Sequence, residues 1–120
     1  MGHTYAKIRI YNLNDLSKTL DLNIIVDTGS TYTWIKRSKL NKIRIKPFSK
    51  RKFRIIKGEI IEREIGEAII ECMGEKATRI IVFAENGDME VLGVDTLEGL
   101  GLEVDPITRQ LRKVEMLIVY

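Results

Sequence analysis

Alternation between apolar and polar side chains is the clearest pattern in this chain. Residues 7–11 (KIRIY) and 42–46 (KIRIK) alternate strictly, which is typical of strands with one buried and one solvated face. Residues 24–26 (IIV) and 80–83 (IIVF) are short continuous apolar runs, which suit central strands covered on both sides. Ile and Val together number 25 against eleven Leu, and this excess of β-branched side chains also favours strands. We therefore expect an all-β fold.

Glycines punctuate the second half of the chain at intervals of eight to thirteen residues: Gly58, Gly66, Gly74 and Gly87. Spacing of this kind predicts successive hairpins. One short helix is predicted near the C-terminus, because Asp95 and Glu98 form an acidic N-cap pattern and Gly99 and Gly101 can end the helix.

The last five residues, 116–120 (MLIVY), are all apolar. An uncovered apolar strand at a chain end is prone to aggregate, so it needs a partner. We expect a second copy of the chain to cover it, in a homodimer whose subunits share a sheet of terminal strands.

Length and composition limit the classes of protein. With 120 residues, 44% of them hydrophobic and 31% charged, the chain is expected to form a single globular domain over residues 1–120. No apolar segment of membrane-spanning length and no secretory signal is found, which predicts a cytoplasmic protein without membrane contact. A lone cysteine, Cys72, and a lone histidine, His3, argue against disulfides, histidine catalysis and metal binding. We expect no metal and no organic cofactor.

Basic residues are concentrated in the middle of the chain, although the net charge is only +3. Residues 36–57 hold eleven Lys and Arg and no acid, whereas residues 58–120 hold six basic and fourteen acidic residues. Such a stretch can contact phosphates or attract acidic peptides. We favour a solvated face that pairs with the chain's own acids, because no nucleic-acid module accompanies the charge. Nucleic acid is therefore not the expected partner.

A carboxylate follows an apolar strand in residues 25–30 (IVDTGS), where Gly29 permits a tight turn that presents Asp27. An Asp in this position can also belong to an ordinary strand-end turn in which its side chain bonds the backbone. A second motif, Val91-Leu92-Gly93, lies some sixty residues later and leads into the predicted helix. The pair of motifs gives Asp27 its weight as a catalytic candidate.

The two motifs in this order resemble those of the retropepsins, the retroviral-type aspartic proteases, over nearly the whole chain. The stretch from Val91 to Leu102, followed by Val104-Asp105-Pro106, is similar to the non-viral archaeal and bacterial branch. The resemblance implies a closed acid-protease β-barrel with one short C-terminal helix. It also implies an aspartic endopeptidase in which Asp27 from each of two subunits activates one water, because one chain supplies only one motif.

The resemblance further assigns roles around Asp27. Thr28 would bond across the dimer axis, Gly29 would offer backbone groups to substrate, and Ser30 would bond the Asp27 carboxylate. A flap hairpin would include Ile56, Lys57, Gly58 and Glu59, with Gly58 at or near its tip. Trp34 and Val91 would line apolar substrate pockets, and Leu92 and Gly93 would form the second motif.

Each of these positions also has a structural explanation. Trp34 can be a core residue, and the turn at Gly58 can be an ordinary surface turn.

The chain also departs from the retroviral pattern, in which an acidic residue two positions after the motif glycine pairs with an arginine after the second glycine. Thr31 and Val94 occupy these positions here, so both members of the ion pair are absent.

Three functions remain open on the sequence. The first is an aspartic endopeptidase that cuts extended, largely apolar segments of a peptide or protein substrate. The second is a dimeric module on the same scaffold that binds peptides or proteins with little or no cleavage. The third is a nucleic-acid-associated protein that uses residues 36–57.

Overall fold

Seven strands, separated by turns, form the main sheet of the protein. The computed structural model describes residues 3–115. The strands of this sheet are β1 (Tyr5–Asn12), β2 (Asp15–Val26), β3 (Thr33–Lys36), β4 (Ser49–Arg54), β5 (Ile60–Cys72), β6 (Glu75–Ala84) and β7 (Val91–Leu92). A second, two-stranded sheet contains β8 (Leu102–Val104) and β9 (Leu111–Lys113). Two short helices are present, α1 (Arg37–Lys42) and α2 (Val94–Leu100).

The main sheet closes on itself. Its strands lie in the order β1-β2-β7-β3-β6-β5-β4, and β1 also pairs with β5 through Arg9–Tyr11 and Ile69–Glu71. Six strands therefore complete a ring, and β4 is added to the outside of β5 as an edge strand. The predicted mostly β, closed architecture is confirmed.

Alternate side chains of the strands fill the interior of this ring. In β1, Ala6, Ile8 and Ile10 are buried while Lys7 and Arg9 are exposed, as the alternating pattern predicted. The apolar run at 80–83 lies in β6, where Ile81 to Phe83 are fully buried as expected for a covered central strand. The other side chains with no exposed surface include Ile35, Leu40, Ile65, Ile70 and Leu92.

The strand predicted at residues 42–46 is wrong. Lys42 ends α1, a helix that the sequence pattern did not predict, and the chain then turns through Arg44 at φ +60°. Ile43 and Ile45 are nevertheless each only 5% exposed. The alternation thus correctly marked two buried side chains, but the backbone N–H groups of both bond to the carbonyl of Leu40 and not to a neighbouring strand.

The C-terminal helix predicted from residues 95–98 is present as α2, with a different start. Gly93 is the N-cap, and Asp95 lies in the first turn, where its carboxylate accepts hydrogen bonds from Arg79. The helix ends before Gly101, which adopts φ +68°. Gly99 lies inside the helix and does not end it.

Gly58 and Gly74 occupy hairpin turns, at φ +88° and +80°, as predicted. Two of the predicted hairpins are wrong. Gly66 lies within β5, where an added Cβ would be 3.0 Å from the Phe83 ring, so its role is to allow close packing. Gly87 lies in a turn, but the following strand β7 pairs with β2 and β3 and not with β6.

The predicted terminal strand at residues 116–120 lies outside the described residues. Across residues 3–115, neither helix is long and apolar enough to cross a membrane.

A bidentate ion pair joins Arg63 of β5 to Asp88, which lies in the loop after β6. The two nitrogen–oxygen distances are 2.6 and 2.9 Å, and the Asp88 side chain is only 13% exposed. The hydrogen bonds from Arg63 hold the pKa of Asp88 below its usual range. An aspartate with a lowered pKa in the folded state contributes stability above the pKa of the unfolded state and loses it as pH falls.

We therefore expect unfolding to become easier below about pH 4, where aspartates protonate in the unfolded chain. Asp88→Asn should lower the free energy of unfolding by about 1–2 kcal/mol at neutral pH and flatten its decline between about pH 4 and pH 2. Urea unfolding across this pH range measures both effects. Asp21→Asn is the matched control, because its pair with Arg9 is exposed and should contribute little. Equal pH profiles for the two variants would contradict the expectation.

Candidate active site

The two sequence motifs lie side by side in the barrel. Ile25 and Val26, at the end of β2, pair in parallel with Val91 and Leu92 of β7. The backbone N–H of Asp27 then donates to the carbonyl oxygen of Leu92 at 3.0 Å. Segments some sixty residues apart in sequence therefore meet at the point where β2 ends.

A tight turn presents the Asp27 carboxylate. The Gly29 N–H donates to Asp27 Oδ1 at 2.9 Å, and the Ser30 N–H donates to the Asp27 carbonyl at 3.1 Å. Asp27, Thr28 and Gly29 are all exposed. Within residues 3–115, no Lys, Arg or His forms an ion pair with this carboxylate. The turn thus has the side-chain-to-backbone bond of an ordinary strand-end turn, and it leaves one carboxylate oxygen without a protein donor.

Within residues 3–115, neither the Ser30 nor the Thr28 hydroxyl forms a hydrogen bond to the carboxylate. The Ser30 hydroxyl donates to the carbonyl oxygen of Tyr32 at 2.8 Å, so the bond to Asp27 implied by the resemblance is not formed here. Thr28 lies exposed at the turn, and its bond to a second subunit stays a prediction.

Gly93 is where the second motif touches the Asp27 loop. A Cβ at this position would lie 2.3 Å from the carbonyl oxygen of Tyr32 and 2.9 Å from that of Ser30, so only glycine fits. The following N–H groups complete the junction, with Val94 donating to Ser30 O and Asp95 to Thr31 O, each at 2.8 Å. Thr31 and Val94, the two positions of the retroviral ion pair, thus each take part in one of these backbone bonds, with Asp95 and with Ser30 respectively.

Two buried threonines support this junction from beneath. The Thr33 and Thr96 hydroxyls lie 2.6 Å apart, and Thr33 Oγ1 accepts a hydrogen bond from the Gly93 N–H at 3.0 Å. Both side chains are fully buried. The sequence analysis missed this pair, because neither threonine stands out from its neighbours in a single sequence.

Trp34 and Val91 are directly paired across β3 and β7. Val91 is 7% exposed, so little of it reaches the surface, whereas Trp34 is partly exposed. The Trp34 ring packs edge-on against Phe53 of β4, with ring centroids 5.1 Å apart. The Tyr32 ring also lies edge-on to the Phe53 ring, with ring centroids 6.2 Å apart. Phe53 and Tyr32 are further candidate pocket residues that the sequence analysis missed.

The predicted flap is the hairpin that joins β4 to β5. Two backbone hydrogen bonds hold its turn. The Ile55 N–H donates to the carbonyl oxygen of Glu59 at 2.9 Å, and the Gly58 N–H donates to the carbonyl oxygen of Ile55 at 2.8 Å. Ile56, Lys57, Gly58 and Glu59 are all exposed, and the apolar side chain of Ile56 is fully so among the described residues. The base of the hairpin contacts the site through Phe53.

Basic residues of the 36–57 stretch lie at the end of β3, on α1, on the loop after it, on β4 and in the flap turn. Arg37 pairs with Glu64 and Glu85, and Lys39 pairs with Glu90. The other nine basic side chains form no ion pair within residues 3–115. The expected pairing with the chain's own acids therefore holds for Arg37 and Lys39 of α1 and not for β4.

Metal-binding residues do not cluster in residues 3–115, where no three His, Cys, Asp or Glu side chains are placed to hold an ion. Cys72 is buried, and burial raises the pKa of its thiol, which disfavours the reactive thiolate.

Comparisons with known proteins identify the fold. No protein-family model matches the chain, and no curated protein matches it. Among solved structures, the chain is similar to the EIAV protease complexed with the inhibitor HBY-793, with 18% sequence identity and a TM-score of 0.62. The match covers 87% of this chain and 93% of that one. The chain thus has the fold of a retroviral protease.

Proposed function

We propose that the protein is an aspartic endopeptidase whose active form is a homodimer, with residues 1–120 contributing one half of the site. The observation that supports this most directly is the Asp27 carboxylate, exposed and free of any ion pair within residues 3–115, at the junction of two loops in a protease fold. By comparison, the carboxylates of Asp88 and Asp95 are each paired with an arginine.

The chemistry requires a second carboxylate. Peptide hydrolysis at a site of this kind needs one group to remove a proton from water and another to protonate the amide. Asp95, the acid that follows the second motif, is held by Arg79 at 2.6 Å and is not available. A second subunit related by twofold symmetry supplies another Asp27. Two carboxylates held close together cannot both ionise, so they share one proton.

The reaction then follows from this shared proton. The ionised Asp27 takes a proton from the water, whose oxygen attacks the carbonyl carbon of the scissile bond. The protonated Asp27 of the other subunit gives its proton to the carbonyl oxygen. As the tetrahedral intermediate collapses, one of its two hydroxyl groups returns a proton to the second carboxylate. The carbon–nitrogen bond breaks, and the amine leaves with a proton from the first carboxyl group. Both carboxyl groups end the cycle sharing one proton again.

An extended peptide is the substrate class that the site favours. The flap hairpin and the Asp27 loop offer backbone groups to a strand-like ligand. The exposed edges of Trp34 and Phe53 favour apolar side chains beside the scissile bond. Closure of the flap would exclude water from the reacting groups.

Digestion of a reduced, unfolded protein mixture tests the proposal, with new termini identified by mass spectrometry. We expect cuts within apolar segments, and a rate per subunit that falls on dilution as dimers dissociate. Absence of cuts at any protein concentration would contradict a protease. Peptide capture without cleavage would instead favour the binding-module alternative.

Removal of residues 116–120 tests the dimer separately. We expect the truncated chain to sediment as a monomer and to lack cleavage activity, because the apolar terminal segment is predicted to form the subunit contact. Light scattering and far-UV circular dichroism measure mass and fold together. A truncated dimer with full activity would show that the interface lies elsewhere.

A further inference from the structure

Arg51 of β4 is a cation that no acid of residues 3–115 neutralises. Its guanidinium lies 5.5 Å from the centroid of the Tyr32 ring, and its NH1 donates to the Tyr32 hydroxyl at 2.6 Å. The residue opposite it on β5 is another cation, Arg63, whose charge is already taken by Asp88. A positive charge is therefore held in a fixed orientation beside the candidate site.

Arg51 shares its face of β4 with Phe53, because side chains two residues apart point the same way along a strand. Phe53 packs on Trp34, and Arg51 contacts Tyr32, so this face is directed at the segment that follows the Asp27 loop. Lys52 points to the other face, where its partner across the strands is Glu62. The side of β4 that faces the site thus carries a cation and an aromatic ring about 7 Å apart.

The side chains of an extended peptide are spaced in the same way as those of β4. Its alternate side chains also lie about 7 Å apart on one side of the strand. We propose that Arg51 selects an acidic side chain in the peptide, two residues away from an apolar side chain that packs on Phe53 and Trp34. This specificity rests on the proposed function, because it treats the Asp27 site as one that receives an extended peptide.

The guanidinium chemistry favours a carboxylate over a neutral partner. Arginine has five N–H donors in a planar fork that matches the two oxygens of a carboxylate, and Tyr32 accepts a hydrogen bond from only one of them. Contact with the Tyr32 ring keeps the fork in place, so a substrate need not order the side chain itself. In a homodimer, a second Arg51 lies in the other half of the site.

Selection of random heptapeptides displayed on phage tests this preference without requiring cleavage. The bait is the full chain carrying Asp27→Asn, with or without Arg51→Met, and the sequences of retained peptides are compared. We expect Asp or Glu two positions from a large apolar residue to be enriched about threefold to tenfold with Arg51 present. This enrichment should vanish with Arg51→Met.

Lys52→Met is the matched control, because it removes the same charge from the opposite face of β4. It should leave the acidic preference intact, whereas general attraction to a basic surface would be weakened equally by either substitution. Retention of the preference in Arg51→Met, its loss in Lys52→Met, or enrichment of no motif at all would each overturn the proposal.

The wild-type chain is assayed for peptide cleavage in parallel. Enrichment of an Arg51-dependent motif without cleavage would refute the protease proposal and support the peptide specificity. Cleavage without such a motif would support the protease proposal and refute the specificity.

Discussion

Asp27→Asn is expected to reduce the rate of peptide cleavage by about 1000-fold or more, with little change in stability. An amide cannot take a proton from water, and it cannot share one with its partner across the dimer. The fold should tolerate the change, because the side chain is exposed and its oxygen can still accept the hydrogen bond from Gly29. Initial rates on a cleaved peptide and urea unfolding curves measure the two effects.

Mixing subunits extends this test to the shared site. In an equal mixture of wild-type and Asp27→Asn chains, random pairing leaves about one quarter of the dimers with two intact carboxylates. Activity per wild-type subunit should therefore fall to about half once the subunits have exchanged. Mixing with Asp21→Asn, which makes the same change on an exposed part of β2, should leave the activity per total subunit unchanged. Undiminished cleavage by Asp27→Asn alone would contradict the catalytic assignment.

Gly93→Ala is expected to destabilise the fold by about 3 kcal/mol or more and to abolish activity. The new Cβ would lie 2.3 Å from the Tyr32 carbonyl oxygen and 2.4 Å from its carbonyl carbon, which are backbone atoms fixed by neighbouring strands. Relief requires the two loops to separate, and the bonds from Val94 and Asp95 to the Asp27 loop would break with them. Chemical denaturation and cleavage assays report both losses.

Gly99→Ala is the matched control for this clash. Its Cβ would also meet a neighbour closely, at 2.6 Å, but that neighbour is the side chain of Arg79, which can swing away. Alanine also favours the helix by about 1 kcal/mol relative to glycine. We expect a much smaller loss of stability and retained activity. Equal losses in the two variants would show that the Gly93 junction is not specially constrained.

Local patterns predicted burial better than they predicted hydrogen bonding. The alternation in β1 and the apolar run in β6 each correspond to the expected strand. The identical alternation at residues 42–46 marked Ile43 and Ile45 correctly as buried, yet the chain there leaves a helix through a left-handed turn at Arg44. Period-two burial describes which side chains face the core, and a turn can satisfy it as well as a strand.

The neighbourhood of Asp27 could be expected only in part. The resemblance assigned Asp27 and the pocket residue Val91 to one substrate site, and the pairing of β2 with β7 brings their two segments side by side. The Thr33–Thr96 pair and the contact of Arg51 with Tyr32 could not be predicted. Each depends on how distant strands are aligned, and a single sequence contains no direct information about that alignment.

The hydrogen bond between Asp27 and Leu92 has a consequence during synthesis of the protein. The ribosome delivers the chain from its N-terminus, so Asp27 emerges long before its partner in β7 exists. Until then, the end of β2 can pair with β1, but the Asp27 loop lacks its contact with β7. The site proposed for Asp27 therefore cannot assemble on a nascent chain before Val91 and Leu92 have been made.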